Sequence, residues 1–241
     1  MRTTIVILSS LLLSLILVGA TCSPISPPAF TPSKSLRATP ANSIDTRLYG
    51  GVTSGVFDLQ GYGAGVEMEY KKEEDTGLGF NISASKGEDD LENNHSIFEG
   101  GAFLTRYLFR HNNFYLLAIE PRLDASYITN DSVSIIPNIV VHTGYRYSLL
   151  EFKLTLRGGA SLLLSRGEQV NTNKPIEENK PYDKSFLKDS IYAGGDLGVL
   201  FHAGKFYAGP SIGMLYFYTF DKCKDCSDLW AYYMLNLGYS F

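Results

Sequence analysis

The sequence predicts an all-β fold: a closed antiparallel transmembrane β-barrel of ten strands, with eight as the alternative count. Three observations carry this. Stretches of ten to fourteen residues alternate in polarity with a period of two, the strand period. The longest segments between them all fall on alternate, outer positions along the chain, although the first outer turn, Asp58 to Gly61, is short. No apolar run after the N-terminal leader is long enough for a membrane-spanning helix. Composition agrees. Among 241 residues there are 16 Tyr and 23 Gly, only 19% are charged, and mean hydropathy is near zero. That average hides an alternation of apolar and polar faces.

The elements follow in order. Met1-Arg2 gives a positive start, Ile5 to Val18 is mostly apolar, and Val18-Gly19-Ala20 supplies small residues for cleavage. Residues 1–20 therefore read as a secretory signal peptide, which lies outside the fold. Its removal takes away Arg2 and no acid, making the formal charge one unit more negative than −4. No basic excess points to nucleic acid. Residues 21–45 read as a Pro/Ser/Thr-rich linker, extended or disordered, because such composition buries too little surface to offset its ordering entropy. Residues 46–241 form the barrel, with strands expected at 47–57, 62–71, 77–86, 97–109, 114–128, 134–147, 151–164, 189–203, 205–219 and 229–241.

In the second strand Tyr62, Ala64, Val66, Met68 and Tyr70 share one face, and Gly63, Gly65, Glu67, Glu69 and Lys71 the other. The seventh and eighth strands repeat the pattern. A soluble sandwich also alternates, but its strands are shorter, and its outer face is a solvated lysine–glutamate surface. Here the polar face mixes glycine, serine and charges of both signs, and aromatic residues mark the strand ends, as in barrel girdles. Parity supports the count. With the N-terminus on the inner side, the short connections near 73–76, 110–113, 148 and 204 all fall on inner positions. The long ones at 87–96, 166–189 and 221–228 all fall on outer positions.

The last strand is the most specific feature. Tyr233, Leu235, Leu237, Tyr239 and Phe241 alternate with Met234, Asn236, Gly238 and Ser240, and the sequence ends on the aromatic. This resembles the C-terminal assembly signal of bacterial outer-membrane proteins, and residues 46–241 resemble the small outer-membrane barrel class of OmpA-type, OmpW-type and opacity-type proteins. The resemblance implies a bacterial outer-membrane location, extracellular loops and periplasmic termini. It implies as partners the barrel assembly machinery, outer-membrane lipids and lipopolysaccharide, and host surface factors at the loops. Fold alone does not fix function.

The expected lumen face collects Glu67, Glu69, Lys71, Glu120, Arg122, Asp124, His142, Arg146, Lys153, Arg157, Asp196 and His202. It reads either as a polar solute path or as a plug of mutually satisfied ion pairs. Near balance of sign in a narrow barrel favours the plug. A catalytic role would need a nucleophile beside a positioned base. His142 and His202 share the face with Ser161 and Asp196, yet His142-Thr143-Gly144 lacks the His-x-Ser spacing of lipid A deacylases, so no enzyme is expected. Cys223 and Cys226 form a C-x-x-C that reads as a disulfide pinching a loop. Two cysteines cannot close a zinc site, and no helix follows for a redox motif. Cys22 is a candidate for lipidation despite a poor lipobox. Gly61, Gly63 and Gly65 miss nucleotide-loop spacing, and no cofactor is expected. The sequence thus points to a surface barrel with a structural or interaction, adhesin-like role. A narrow porin-like channel is the alternative, and a lipid-modifying enzyme is third.

Overall fold

The computed structural model describes residues 32–55, 60–88, 94–128, 132–165, 190–219 and 227–241. Residues 1–20, which read as a signal peptide, Cys22, the Cys223/Cys226 pair and the segment 166–189 lie outside the described residues.

Ten strands close on themselves: β1 (Ser43–Gly55), β2 (Gln60–Glu73), β3 (Thr76–Glu88), β4 (Asn94–His111), β5 (Phe114–Ile128), β6 (Ser132–Tyr147), β7 (Leu150–Ser165), β8 (Ser190–Ala203), β9 (Phe206–Thr219) and β10 (Ser227–Ser240). Each strand pairs antiparallel with its neighbours in sequence, and β1 pairs with β10 to close the barrel. The expected ten strands are present, and eight is excluded. β1 begins at Ser43 rather than near residue 46.

One end of the barrel carries four two-residue turns: Glu74-Asp75, Asn112-Asn113, Ser148-Leu149 and Gly204-Lys205. They are the four connections expected to be short. In three of them the first residue takes a left-handed conformation, with φ of 54° at Asn112, 56° at Ser148 and 63° at Gly204. Positive φ at the first turn residue matches the right-handed twist of the flanking strands. We call this the turn end, and the opposite one the loop end.

The period of two sorts the side chains. Leu48, Leu78, Ile82, Leu123, Leu197 and Leu235 are among the exposed apolar residues that face outward. Toward the turn end the outer wall becomes aromatic, with Tyr70, Tyr145, Tyr147, Phe201, Phe206 and Phe241 exposed. Apolar surface on this scale suits lipid rather than water. All five residues of the terminal pattern lie on that outer face. Met234, Asn236 and Gly238 point inward and Ser240 sits half-buried at the turn-end rim.

Three prolines sit inside strands, where a missing N–H removes a ladder bond. Pro121, Pro137 and Pro210 each keep full register with one neighbour, opposite Ile139, Leu123 and Leu235 respectively. On the other side the pairing skips two positions: between Phe103 and Arg106 on β4, between Ile135 and Asn138 on β6, and between Gly198 and Phe201 on β8. The wall thus confines each lost bond to one interface.

The interior has two characters. Toward the loop end, Tyr49, Ile136, Tyr192, Leu215, Phe217, Trp230, Tyr232 and Met234 form a buried apolar cluster. Within it Phe217 packs on Trp230 at 5.1 Å between ring centroids. Toward the turn end the lumen is charged, and the candidate site lies there.

Candidate functional site: a charged lumen closed by the N-terminal segment

Alternation places Glu67, Glu69 and Lys71 on the inner face of β2, and register sets Arg47 of β1 directly opposite Glu67. The Arg47 guanidinium forks between two carboxylates, donating from Nη1 to Glu67 and from Nη2 to Glu69. On β5 the same alternation points Glu120, Arg122 and Asp124 inward. Arg122 reaches across the lumen, its Nη1 lying 2.8 Å from Glu67 Oε2 and 2.6 Å from Glu120 Oε1. Asp124 lies 3.6 Å from Arg122 Nε and accepts from Asn138 Nδ2 at 2.8 Å.

The circuit is completed by a residue outside the wall. Residues 33–38, which precede β1, run back up inside the barrel from the turn end. The segment is anchored low by main-chain bonds, Ala38 N to Asn113 O and Tyr115 N to Leu36 O, both 2.8 Å. Arg37 donates to the Gly204 carbonyl of the turn. Higher up, Ser35 Oγ and Leu36 N each donate to a Glu151 oxygen at 2.9 Å. Higher still, Ser33 N donates to Asn236 Oδ1 at 2.9 Å and Ser33 Oγ to Asp196 Oδ1 at 3.1 Å. Between these anchors Lys34 Nζ contacts Glu120 Oε2, Glu69 Oε2 at 2.9 Å and Thr105 Oγ1 at 2.6 Å. Lys34, Glu69 and Glu120 are fully buried. The order Lys34–Glu69–Arg47–Glu67–Arg122–Glu120–Lys34 is a closed ring of ion pairs across the lumen.

The linker reading is corrected here. Residues 33–38 are extended, as expected, but they are docked rather than disordered. The sequence offers no period to reveal this, because the partners lie far along the chain, from Glu69 to Asn236.

A second cluster joins Glu151, Lys153 and His202. His202 Nε2 lies 2.7 Å from Glu151 Oε2, and Lys153 Nζ lies 3.5 Å from Glu151 Oε1. Asp196 accepts from Tyr232 OH at 3.1 Å, and the Arg157 guanidinium covers the Tyr232 ring at 4.7 Å. His142 stands 3.4 Å from Thr155 Oγ1 and 3.9 Å from Glu120 Oε2.

Of the expected lumen residues, Glu67, Glu69, Lys71, Glu120, Arg122, Asp124, His142, Lys153, Arg157, Asp196 and His202 are all buried inside. Arg146 departs from that expectation. It lies on the turn-end rim, where Nε donates to Ser148 O at 3.1 Å. With Arg37, His111, Leu149, His202 and Gly204 it lines an open vestibule of about 520 Å³. Arg146 keeps the parity of His142 but is the next-to-last residue of β6, at the height of the turns rather than of the ring. Sequence reasoning missed Arg47, Glu151, Thr105 and Lys34. Arg47 shares parity with Asp45 and Tyr49, and Glu151 with Lys153, so alternation extended to the strand ends finds both. Among the described residues no group of three or more His, Cys, Asp or Glu side chains is placed to hold a metal ion.

An apolar outer wall around a self-paired charged interior defines a transmembrane β-barrel of the outer-membrane architecture. No family model matches the chain, and no curated protein matches it. Solved structures do match in fold. The outer membrane protease OmpT from Escherichia coli is 10% identical over 90% of this chain and 99% of that one, with a TM-score of 0.48. The beta domain of the Bordetella autotransporter BrkA is 9% identical over 82% of this chain and 99% of that one, TM-score 0.44. A bacterial polysaccharide outer membrane secretin is 11% identical over 76% of this chain, TM-score 0.39, and this chain spans 57% of its length.

Proposed function

We propose that this protein is a closed barrel of the bacterial outer membrane that acts through its loops, in a structural or interaction, adhesin-like role, rather than as a channel. The turn end faces the periplasm, and the connections at the loop end, above all 166–189, meet host factors, envelope proteins or lipopolysaccharide. One observation carries this reading: the ion-pair ring spans the lumen, and Lys34 of a docked segment completes it. Unpaired charges in a narrow lumen cost several kcal/mol each, so a ring in which each acid meets two bases is favoured over a hydrated path.

The test is conductance in planar bilayers together with loop replacement. The wild-type protein is expected to give no reproducible single-channel steps, and replacing 166–189 with a short glycine–serine link is expected to abolish binding to target cells while leaving the barrel folded. Regular steps from the wild-type protein would sink the closed-barrel reading in favour of a narrow porin-like channel.

A further inference from the structure

Lys34 occupies a site whose chemistry is that of a receptor for a primary ammonium. The side chain carries three N–H donors, and three oxygens receive them: Thr105 Oγ1 at 2.6 Å, Glu69 Oε2 at 2.9 Å and Glu120 Oε2. Thr105 is itself oriented, since its hydroxyl donates to Glu120 Oε2 at 3.2 Å and so turns its lone pairs to the ammonium. Two aromatic faces close the remaining sides, with Nζ 4.9 Å from the centroid of Phe103 and 5.6 Å from that of Tyr107. Oxygens, hydroxyl and rings all come from the wall strands β2, β4 and β5, whereas the cation comes from a segment outside the wall. A further polar atom has no hydrogen-bond partner at this place: His142 Nε2, buried, 3.9 Å from Glu120 Oε2.

We propose that Glu69, Glu120, Thr105, Phe103 and Tyr107 form a binding site for primary alkylammonium groups, and that Lys34 is its tethered, competing occupant. The proposal rests on the closed-barrel reading and deepens it. A ligand joined to its site by a few residues acts at an effective concentration on the order of millimolar or more. An external amine therefore enters only when residues 33–37 are displaced, and its binding holds them out, breaking the ring at the position that shuts the lumen. The site selects for N–H donors. A quaternary ammonium carries the same charge but offers the three oxygens nothing to accept.

The test uses the full chain with Lys34→Ala, which leaves Cβ and removes the atoms that n-propylammonium would restore. In detergent micelles, n-propylammonium is expected to raise the midpoint of heat-induced unfolding of this variant by at least about 3 °C. Tetramethylammonium and sodium at equal concentration are expected to leave it unchanged. Lys34→Met fills the space without a charge and is expected to show no response to the amine. The double variant Lys34→Ala, Glu120→Gln is expected to lose most of it. If Lys34→Ala folds only poorly, the yield of heat-modifiable barrel on refolding with each cation is the readout, with the same ranking expected. Equal rescue by tetramethylammonium, rescue that survives Glu120→Gln, or no rescue by n-propylammonium would each overturn the proposal. These readings do not involve conductance, so a wild-type protein that conducts would remove the closed-barrel reading and leave the amine result to stand or fall separately.

Discussion

Arg122 shows at the scale of one residue why the interior is held by pairing rather than by charge as such. Its guanidinium serves Glu67 and Glu120 together, both fully or nearly fully buried. Removing it leaves two acids short of a partner where water is scarce, and breaking a buried pair in this way costs about 3–5 kcal/mol. Arg122→Ala is therefore expected to lower the stability of the barrel by that order in urea-induced unfolding from lipid bilayers. Arg146→Ala, at the rim, is expected to change it by less than about 0.5 kcal/mol. Similar losses from the two variants would mean that the ring contributes no more than an exposed arginine does. The contrast also marks what alternation conveys. Parity correctly points Arg122 and Arg146 to the same face, but it does not say at what height the lumen ends, and that height separates a ring member from a rim residue.

At the scale of the element, the strands are set by two short-range signals, polarity of period two and residues able to turn within two positions. Both are local, and the strand limits expected from them differ from those found by only a few residues: β5 is expected and found at 114–128, and β9 is expected at 205–219 and found from Phe206 to Thr219. The interior prolines did not disturb this, because each lost bond falls at a single interface. What local signals leave out is how side chains of adjacent strands lie over one another on the inner face of the wall. Gly213 of β9 is an example. A Cβ there would collide with the ring of Tyr232 on β10 and the carbonyl of Gly195 on β8. Tyr232 in turn donates to Asp196 and lies under the Arg157 guanidinium, contacts that a shift of the ring would break. Gly213→Val is expected to destabilise by about 1–3 kcal/mol or more through overpacking. The check is the heat-modification midpoint, alone and combined with Tyr232→Ala. If the second change does not recover part of the loss, the collision is not its cause.

For the whole molecule, wall and plug are separable structures with different origins in the sequence. The wall is a continuous antiparallel ladder closed by eleven register pairs between β1 and β10, from Asp45–Ser240 to Gly55–Trp230. None of these pairs involves residues 33–38. The plug comes from a stretch with no apolar period, and its contacts span the chain, from Glu69 to Asn236. Long-range contacts of that kind leave no local trace, so the wall and the pairing of charges inside it were legible in the sequence and the docking of residues 33–38 was not. The separation has a measurable consequence. Replacing Ser33 to Arg37 with glycine removes the ammonium from the ring and the serine hydroxyls that donate to Glu151 and Asp196, while every wall pair remains. The barrel is then expected to keep its heat-modifiable migration on a gel and to acquire steady conductance, since water must take the place of the ammonium at Glu69 and Glu120 and of the hydroxyl at Glu151. Losing the folded band would make the segment part of the fold itself. A folded band with no conductance would place the closure in the apolar cluster of Tyr192, Phe217 and Trp230 toward the loop end, leaving the charged ring a stabilising feature beneath it.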